Sequence, residues 1–119
     1  MLLPPIYDIL TAAPTVSAIV GQRIYPHGEA PQDVNRPYVT WFVVAGVPEN
    51  VLDGVPDMDR STVQIDCWHQ SSAGVVQLAS AVRNAIEPHA HVTNLFLNQR
   101  EPETKLYRFA LQLDYLLPR

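Results

Sequence analysis

Cys67 and His69 are the first pair of side chains in this sequence whose types could do chemistry. They lie two residues apart in a segment that alternates like a strand, so they point the same way, and a thiol beside an imidazole resembles a nucleophile with its general base. Cys67 shares its side of that strand with Val63 and Ile65, however, and a thiol in apolar surroundings has a raised pKa and reacts poorly. We therefore predict a structural cysteine, and a partly exposed histidine at the strand end.

A second pair, His89 and His91, could place two imidazoles on one side of an extended segment, a spacing that some metal sites use. No cysteine or carboxylate cluster accompanies them, and a polar turn between a helix and a strand is the competing interpretation. The sequence also contains no phosphate-binding glycine loop, nucleophile elbow, zinc-binding His-Glu helix or paired Cys-x-x-Cys. We predict no catalytic residue, no cofactor and no metal.

Asp66 and Asp114 fall on the polar sides of two predicted strands and could approach one another as a carboxylate pair for acid and base catalysis. The sequence does not fix the distance between them. Solvated surface carboxylates, or partners for Arg83 or Arg108, are the alternative.

The segment from Gly46 to Asp59 is the most unusual part of the chain, because all its charged residues are acidic. They account for the whole excess of the 12 acidic over the eight basic residues. A long connection between two strands is usually functional or mobile, although a solvated hairpin kept soluble by its charge would look the same. The spacing does not match a calcium-binding loop. The acidic residues are Glu49, Asp53, Asp57 and Asp59.

Length and composition are those of one globular domain, residues 1–119, with 47% hydrophobic but only 17% charged residues, against about 25% charged in ordinary domains. A thinly charged surface favours contact with other subunits. The net charge of -4 disfavours nucleic-acid binding. No stretch approaches the roughly 18 apolar residues of a membrane span, and the single cysteine cannot form an internal disulfide, so we expect synthesis in the cytoplasm without membrane insertion.

Two regions of the sequence carry helical signals, one near the N-terminus and one before Pro88. Pro5 to Ala13 has apolar residues at helical spacing, Pro14 interrupts it, and a further turn or two ends at Gly21. A longer helix of about 16 residues, capped by Ser71 or Ser72, precedes Pro88. Its apolar stripe consists of Val75, Leu78, Ala79, Val82, Ala85 and Ile86.

Strand signals are strongest in the segment from Pro37 to Ala45, which is apolar on both alternating sides. Such a strand is covered on both faces or lies in a subunit interface. An α+β fold follows, with a mostly antiparallel sheet of about four to five strands on which one long helix and a short N-terminal helix pack. The other predicted extended segments are Arg23 to Tyr25, Ser61 to Gln70, His91 to Asn98 and Lys105 to Leu116.

Several short segments, taken in their order along the chain, resemble the tail-completion or tail-terminator proteins of long-tailed bacteriophages. The residues that carry this resemblance are Ile9-Leu10, Val16, Ile19 and Val20, Gly21 to Pro26, Arg36 to Val39, Val63 to Trp68, Ala79 to Ile86, Tyr107, and Asp114-Tyr115.

The resemblance implies a structural virion protein of the head-tail junction. Such subunits form a ring, commonly a hexamer, that caps the tail tube and contacts both the tube protein and the head-tail connector protein. Genomic DNA would pass through the channel without specific binding, and we expect the acidic segment to face it. We expect the apolar strand to supply the subunit interface through Tyr38, Val39, Thr40, Trp41, Phe42 and Val43.

Two alternatives remain open from the sequence. Another head-tail adaptor or a tail-tube subunit would share the small size and the ring assembly. From a different class, a small metal- or ligand-binding enzyme-like domain could use Asp66, His69 or the two neighbouring histidines, and it would need these groups to converge in a concavity.

Overall fold

The computed structural model describes residues 3–26, 29–31, 33–49, 58–102 and 104–118. Within them the chain forms three helices and five strands. In chain order these are α1 (Ile6–Ala12), α2 (Pro14–Val20), β1 (Ile24–Pro26), β2 (Tyr38–Glu49), β3 (Met58–His69), α3 (Ser72–Ile86), β4 (His91–Arg100) and β5 (Tyr107–Pro118).

The strands form one sheet in the order β1-β2-β3-β5-β4. β1 runs parallel to β2, whereas the other three neighbouring pairs are antiparallel. The helices cover one face of this sheet, which we call the core face, and we call the opposite side the outer face. The predicted α+β class, the mostly antiparallel sheet and the single long helix are confirmed.

The N-terminal segment forms two short helices because Pro14 occupies the first position of α2, where its missing N–H costs nothing. Gly21 ends α2 with a φ of 60°, a left-handed conformation that glycine adopts without strain. The two helices bury Ile6, Leu10, Val16 and Val20.

The long helix α3 begins where the Ser71 hydroxyl accepts a hydrogen bond of 2.9 Å from the Gly74 N–H. The predicted stripe is buried, except that Ala85 is half-buried and Ala81 joins the buried set. The same core cluster contains the core-face residues of the sheet, which are Val39, Trp41, Val63, Ile65, Cys67, Leu111 and Leu113.

The boundaries of the predicted loop between β2 and β3 are wrong. β2 continues to Glu49 and β3 starts at Met58, and these two residues are paired. Gly46 and Pro48 suggest a loop, because both residue types are uncommon inside strands. The pairing persists because β5 supports β3 from its other side as far as Pro118. Residues 50–57 lie outside the described part of the chain.

The other strand ends also differ from the prediction. β4 extends to Arg100 instead of Asn98, and β5 starts at Tyr107 instead of Lys105. Lys105 has a φ of 60°, which no strand residue adopts, so the turn that precedes β5 ends there.

Candidate functional site

The outer face carries a stack of three side chains at one end of the sheet. The rings of Tyr38 and Trp68 are 5.9 Å apart and inclined by only 12°. The guanidinium carbon of Arg108 lies 5.7 Å from the centroid of the Trp68 ring, a cation–π contact. The indole N–H of Trp68 donates a 3.1 Å hydrogen bond to the Thr40 hydroxyl. Backbone register brings these residues together, because Trp68 is opposite both Tyr38 and Arg108.

Asp66 lies beside this stack and is only 4% exposed although no helix covers it. Its Oδ1 accepts a 2.9 Å hydrogen bond from the Gln64 amide and lies 3.4 Å from Arg108 Nε. That Nε makes no hydrogen bond, so the contact with Asp66 is an ion pair without hydrogen-bond alignment. Asp66 is therefore a partner of Arg108, which is one of the alternatives that the sequence left open.

The possible carboxylate pair is not formed. Asp114 is opposite Thr62, whose hydroxyl donates a 2.9 Å hydrogen bond to it. Asp66 is four positions further along β3, which separates the two carboxylates by about 13 Å. The geometry therefore gives no acid and base pair for catalysis.

Cys67 and His69 have separate structural roles. Cys67 is completely buried in the core, and this burial, with a smaller contribution from the charge of Asp66, raises the pKa of the thiol far above its ordinary value. The prediction of a structural cysteine is confirmed. His69 Nδ1 accepts a 3.0 Å hydrogen bond from the Ser71 N–H, so the imidazole fixes the turn that starts α3.

His89 and His91 are exposed, one in the turn after α3 and the other at the first position of β4. Among the described residues, no three His, Cys, Asp or Glu side chains lie close enough together to hold a metal ion.

The acidic segment is described only at its two ends. Glu49 is the last residue of β2. Asp59 is the second residue of β3 and is paired with Pro48 of β2 and with Leu117 of β5. Asp59 is half-buried. Asp53 and Asp57 lie outside the described residues. Glu49 and Asp59 therefore belong to the two paired strand ends that flank the undescribed residues.

The predicted interface strand lies second in the sheet, and its apolar character on both faces has a cause within the chain. Val39 and Trp41 belong to the core face, whereas Thr40 is buried on the outer face against Trp68. A contact with another subunit stays a prediction. Of the six predicted interface residues, those that keep exposed surface are Tyr38, Phe42 and Val43.

Two surfaces with exposed aliphatic side chains escaped the sequence reasoning. Val76 and Leu95, 46% and 45% exposed, flank a groove between α3 and β4. Val44, at the bulge in the middle of β2, is 51% exposed, and Leu116, near the end of β5, is 50% exposed. The sequence could have indicated an exposed apolar residue at Val76, because this residue lies outside the apolar stripe of the helix. The position of Leu95 beside it depends on tertiary packing.

Comparison with known proteins gives one family and a similar fold. The family profile described as tail completion protein gp17 matches residues 4–117. A chain in a solved structure, the virion of a native gene transfer agent particle, is similar in fold, with a TM-score of 0.66 and 16% sequence identity over 96% of this chain and 92% of that chain. A search of curated proteins found no match. Within the described residues, no helix is long and apolar enough to cross a membrane.

Proposed function

The chain belongs to the tail completion protein family, and on that premise we propose that it forms a closed ring, a hexamer, at the end of the phage tail tube. The ring stops growth of the tube and presents a docking face to the head-tail connector. The single observation that carries the proposal is the family match over residues 4–117.

Family membership confirms the resemblance found in the sequence. It makes the chain a structural protein of the virion tail, which assembles with other tail or head proteins, in a family whose members are not enzymes. The geometry agrees with this class, because three of the side chains with reactive potential are engaged in structure. Cys67 is in the core, His69 holds the start of α3, and Asp66 is paired with Arg108.

The hydrogen-bonded side chains of the outer face support an assembly role. Polar side chains of this face bond to one another across neighbouring strands, as in the pairs Thr62 with Asp114 and Trp68 with Thr40. A face whose side chains are already fixed loses little conformational entropy when a partner covers it. We propose that Tyr38 and Phe42, on the outer face, contact a neighbouring subunit, together with Val43, which lies half-buried on the core face.

The acidic segment completes the proposal. Glu49, Asp53, Asp57 and Asp59 line or rim the channel of the ring, where negative charge repels DNA phosphates and lets the genome pass without adhering. Replacement of all four by Lys is expected to slow DNA release, whereas the uncharged Gln and Asn replacements, as the matched control, should have a smaller effect. Ejection kinetics that stay normal in the Lys variant, with tails of normal length, would count against a channel position.

Electron microscopy of the purified full-length chain tests the ring directly. The proposal expects closed rings of uniform diameter in negative stain. Open stacked tubes would instead identify a tail-tube subunit. Native mass spectrometry on the same sample gives the number of subunits, and a monomer at high concentration would contradict the assembly.

A further inference from the structure

A groove of about 520 Å³ opens at the end of the sheet that carries the stack of Tyr38, Trp68 and Arg108. We call it the aromatic groove, because the rings of Tyr38 and Trp68 form one part of its lining. The turn between β4 and β5 supplies the rest. The lining residues are Tyr38, Trp68, Glu101, Pro102 and Thr104.

Basic residues adjoin this groove from three sides. Strand direction brings them to the same place, because β2 and β5 start and β4 ends at this end of the sheet. Within the described residues, none of the three lies within 4 Å of a carboxylate. These exposed residues, each one or two positions from a residue of the lining, are Arg36, Arg100 and Lys105.

The charge of Arg36 reaches the wall of the groove. Burial raises the pKa of the Tyr38 hydroxyl, and the positive charge of Arg36 acts on it in the opposite direction. A charge that acts on this hydroxyl has to be near it, since the interaction between charges falls with distance. Arg36 is therefore close to the Tyr38 ring in space as well as in sequence.

The acidic groups at this end are already paired. Arg108 lies 3.4 Å from Asp66 and 3.9 Å from Glu101. With the three basic residues beside the groove, four positive and two negative groups give a formal charge of +2 among the described residues. Glu103, in the same stretch of sequence, would lower this charge only to +1. The aromatic groove is thus a positive site in a chain whose net charge is -4.

The chemistry of the groove selects its partner. Tyr, Trp and Arg, the three residue types of the stack, carry most of the binding energy at protein interfaces. A positive rim favours an acidic partner, because complementary charge steers association and excludes partners of like charge. The acidic segment of this chain follows β2 at the opposite end of the sheet and faces the channel in the proposed ring. The acidic partner is therefore a different protein.

We infer that the aromatic groove binds an acidic segment of another tail or head protein. Carboxylates of that segment pair with the basic residues beside the groove, and an apolar side chain packs on the rings of Tyr38 and Trp68. The inference rests on the proposed function and names a docking surface for it. Since Tyr38 also belongs to the proposed subunit contact, the partner would bind next to the border between two subunits.

An acidic peptide of alternating glutamate and leucine residues, added to the full-length chain, tests this site. The indole N–H signals of the two tryptophans in NMR spectra report the binding position. Trp68 lines the groove, whereas Trp41 is 8% exposed in the core and serves as the internal control. The peptide should shift the Trp68 signal to saturation and leave the Trp41 signal in place. The same peptide with lysine instead of glutamate should shift neither.

Variants distinguish a contact at the groove from an effect of net charge. Replacement of Arg36, Arg100 and Lys105 by Gln should weaken peptide binding about tenfold or more, and all three positions are exposed, so the chain should fold. Arg36→Gln alone has a matched control in Arg83→Gln, which changes the net charge equally. Arg83 pairs with Glu87 near the end of α3 and does not line the groove, so its replacement should leave peptide binding unchanged.

Four results would overturn the inference. They are a Trp68 signal that does not move, equal weakening by Arg36→Gln and Arg83→Gln, single-stranded DNA that binds more tightly than the peptide, and a triple variant that no longer forms rings, which would identify a second copy as the occupant. The proposed function fails separately. An unmodified chain that forms no rings but binds the peptide would contradict the ring and leave the groove standing.

Discussion

Gly74 lies directly against the imidazole of His69 at the start of α3. A Cβ at position 74 would overlap that ring, although Gly-to-Ala replacements in a helix normally stabilise by about 1 kcal/mol. We predict that Gly74→Ala lowers the free energy of unfolding by about 1 to 3 kcal/mol, because the ring must move and its hydrogen bond to the Ser71 N–H is lost.

The control for this prediction is the same substitution in a His69→Ala background, where the ring is absent. There Gly74→Ala should stabilise the protein, so the sign of its effect reverses. Urea unfolding of the four proteins of this double-mutant cycle measures the difference. An equal effect in both backgrounds would show that the contact between Gly74 and His69 does not determine how Gly74→Ala changes the free energy of unfolding.

Cys67 leads to a second prediction, on pH dependence. The ordinary pKa of the thiol is 9.0 and burial raises it in the folded protein, so above that pH the unfolded chain releases a proton that the native protein keeps. Unfolding is therefore favoured as the pH rises, and this one group should lower the free energy of unfolding by about 1.4 kcal/mol per pH unit above the ordinary pKa.

The comparison protein is Cys67→Ala, which lacks this contribution and should show a shallower decline at alkaline pH. A thiol reagent should modify the native protein only as fast as it unfolds. Rapid modification of the native protein, or equal alkaline slopes for the two proteins, would contradict a buried, protonated thiol.

The elements show how far the sequence alone could predict this structure. Local patterns predicted α3, because capping by Ser71 and the apolar stripe are both encoded within a few turns. The length of β2 and β3 depends on cross-strand pairing with β5, which no local pattern records, so Gly46 and Pro48 suggested a loop. The ion pair of Asp66 with Arg108 depends in the same way on the register of two strands that are distant in sequence.

The helix α3 provides a prediction at this scale, with its control on the same helix. Val82 is fully buried, whereas Val76 is 46% exposed. Val82→Asp should cost more than about 3 kcal/mol and unfold the domain, because a carboxylate would have to enter the core without a partner. Val76→Asp should leave the melting temperature of the monomer nearly unchanged. A soluble Val82→Asp protein that melts like the unmodified chain would refute the packing of α3 described above.

At the scale of the whole molecule, β2 and β3 lead from the apolar core toward the acidic segment. Cys67, His69 and Asp66, three of the side chains that could do chemistry, serve the fold. The four carboxylates of the acidic segment equal the net charge of -4. A closed ring would place this segment of every subunit in an equivalent position. The ring, the channel charge and the subunit contact are therefore three parts of one account.

Addition of the purified chain to isolated phage tails that lack a terminator tests this account most directly. In electron micrographs, closed rings should bind at one end of each tail, and tubes capped in this way should no longer grow when free tube protein is supplied. Binding along the sides of the tails, or continued growth of the capped end, would contradict a tail terminator.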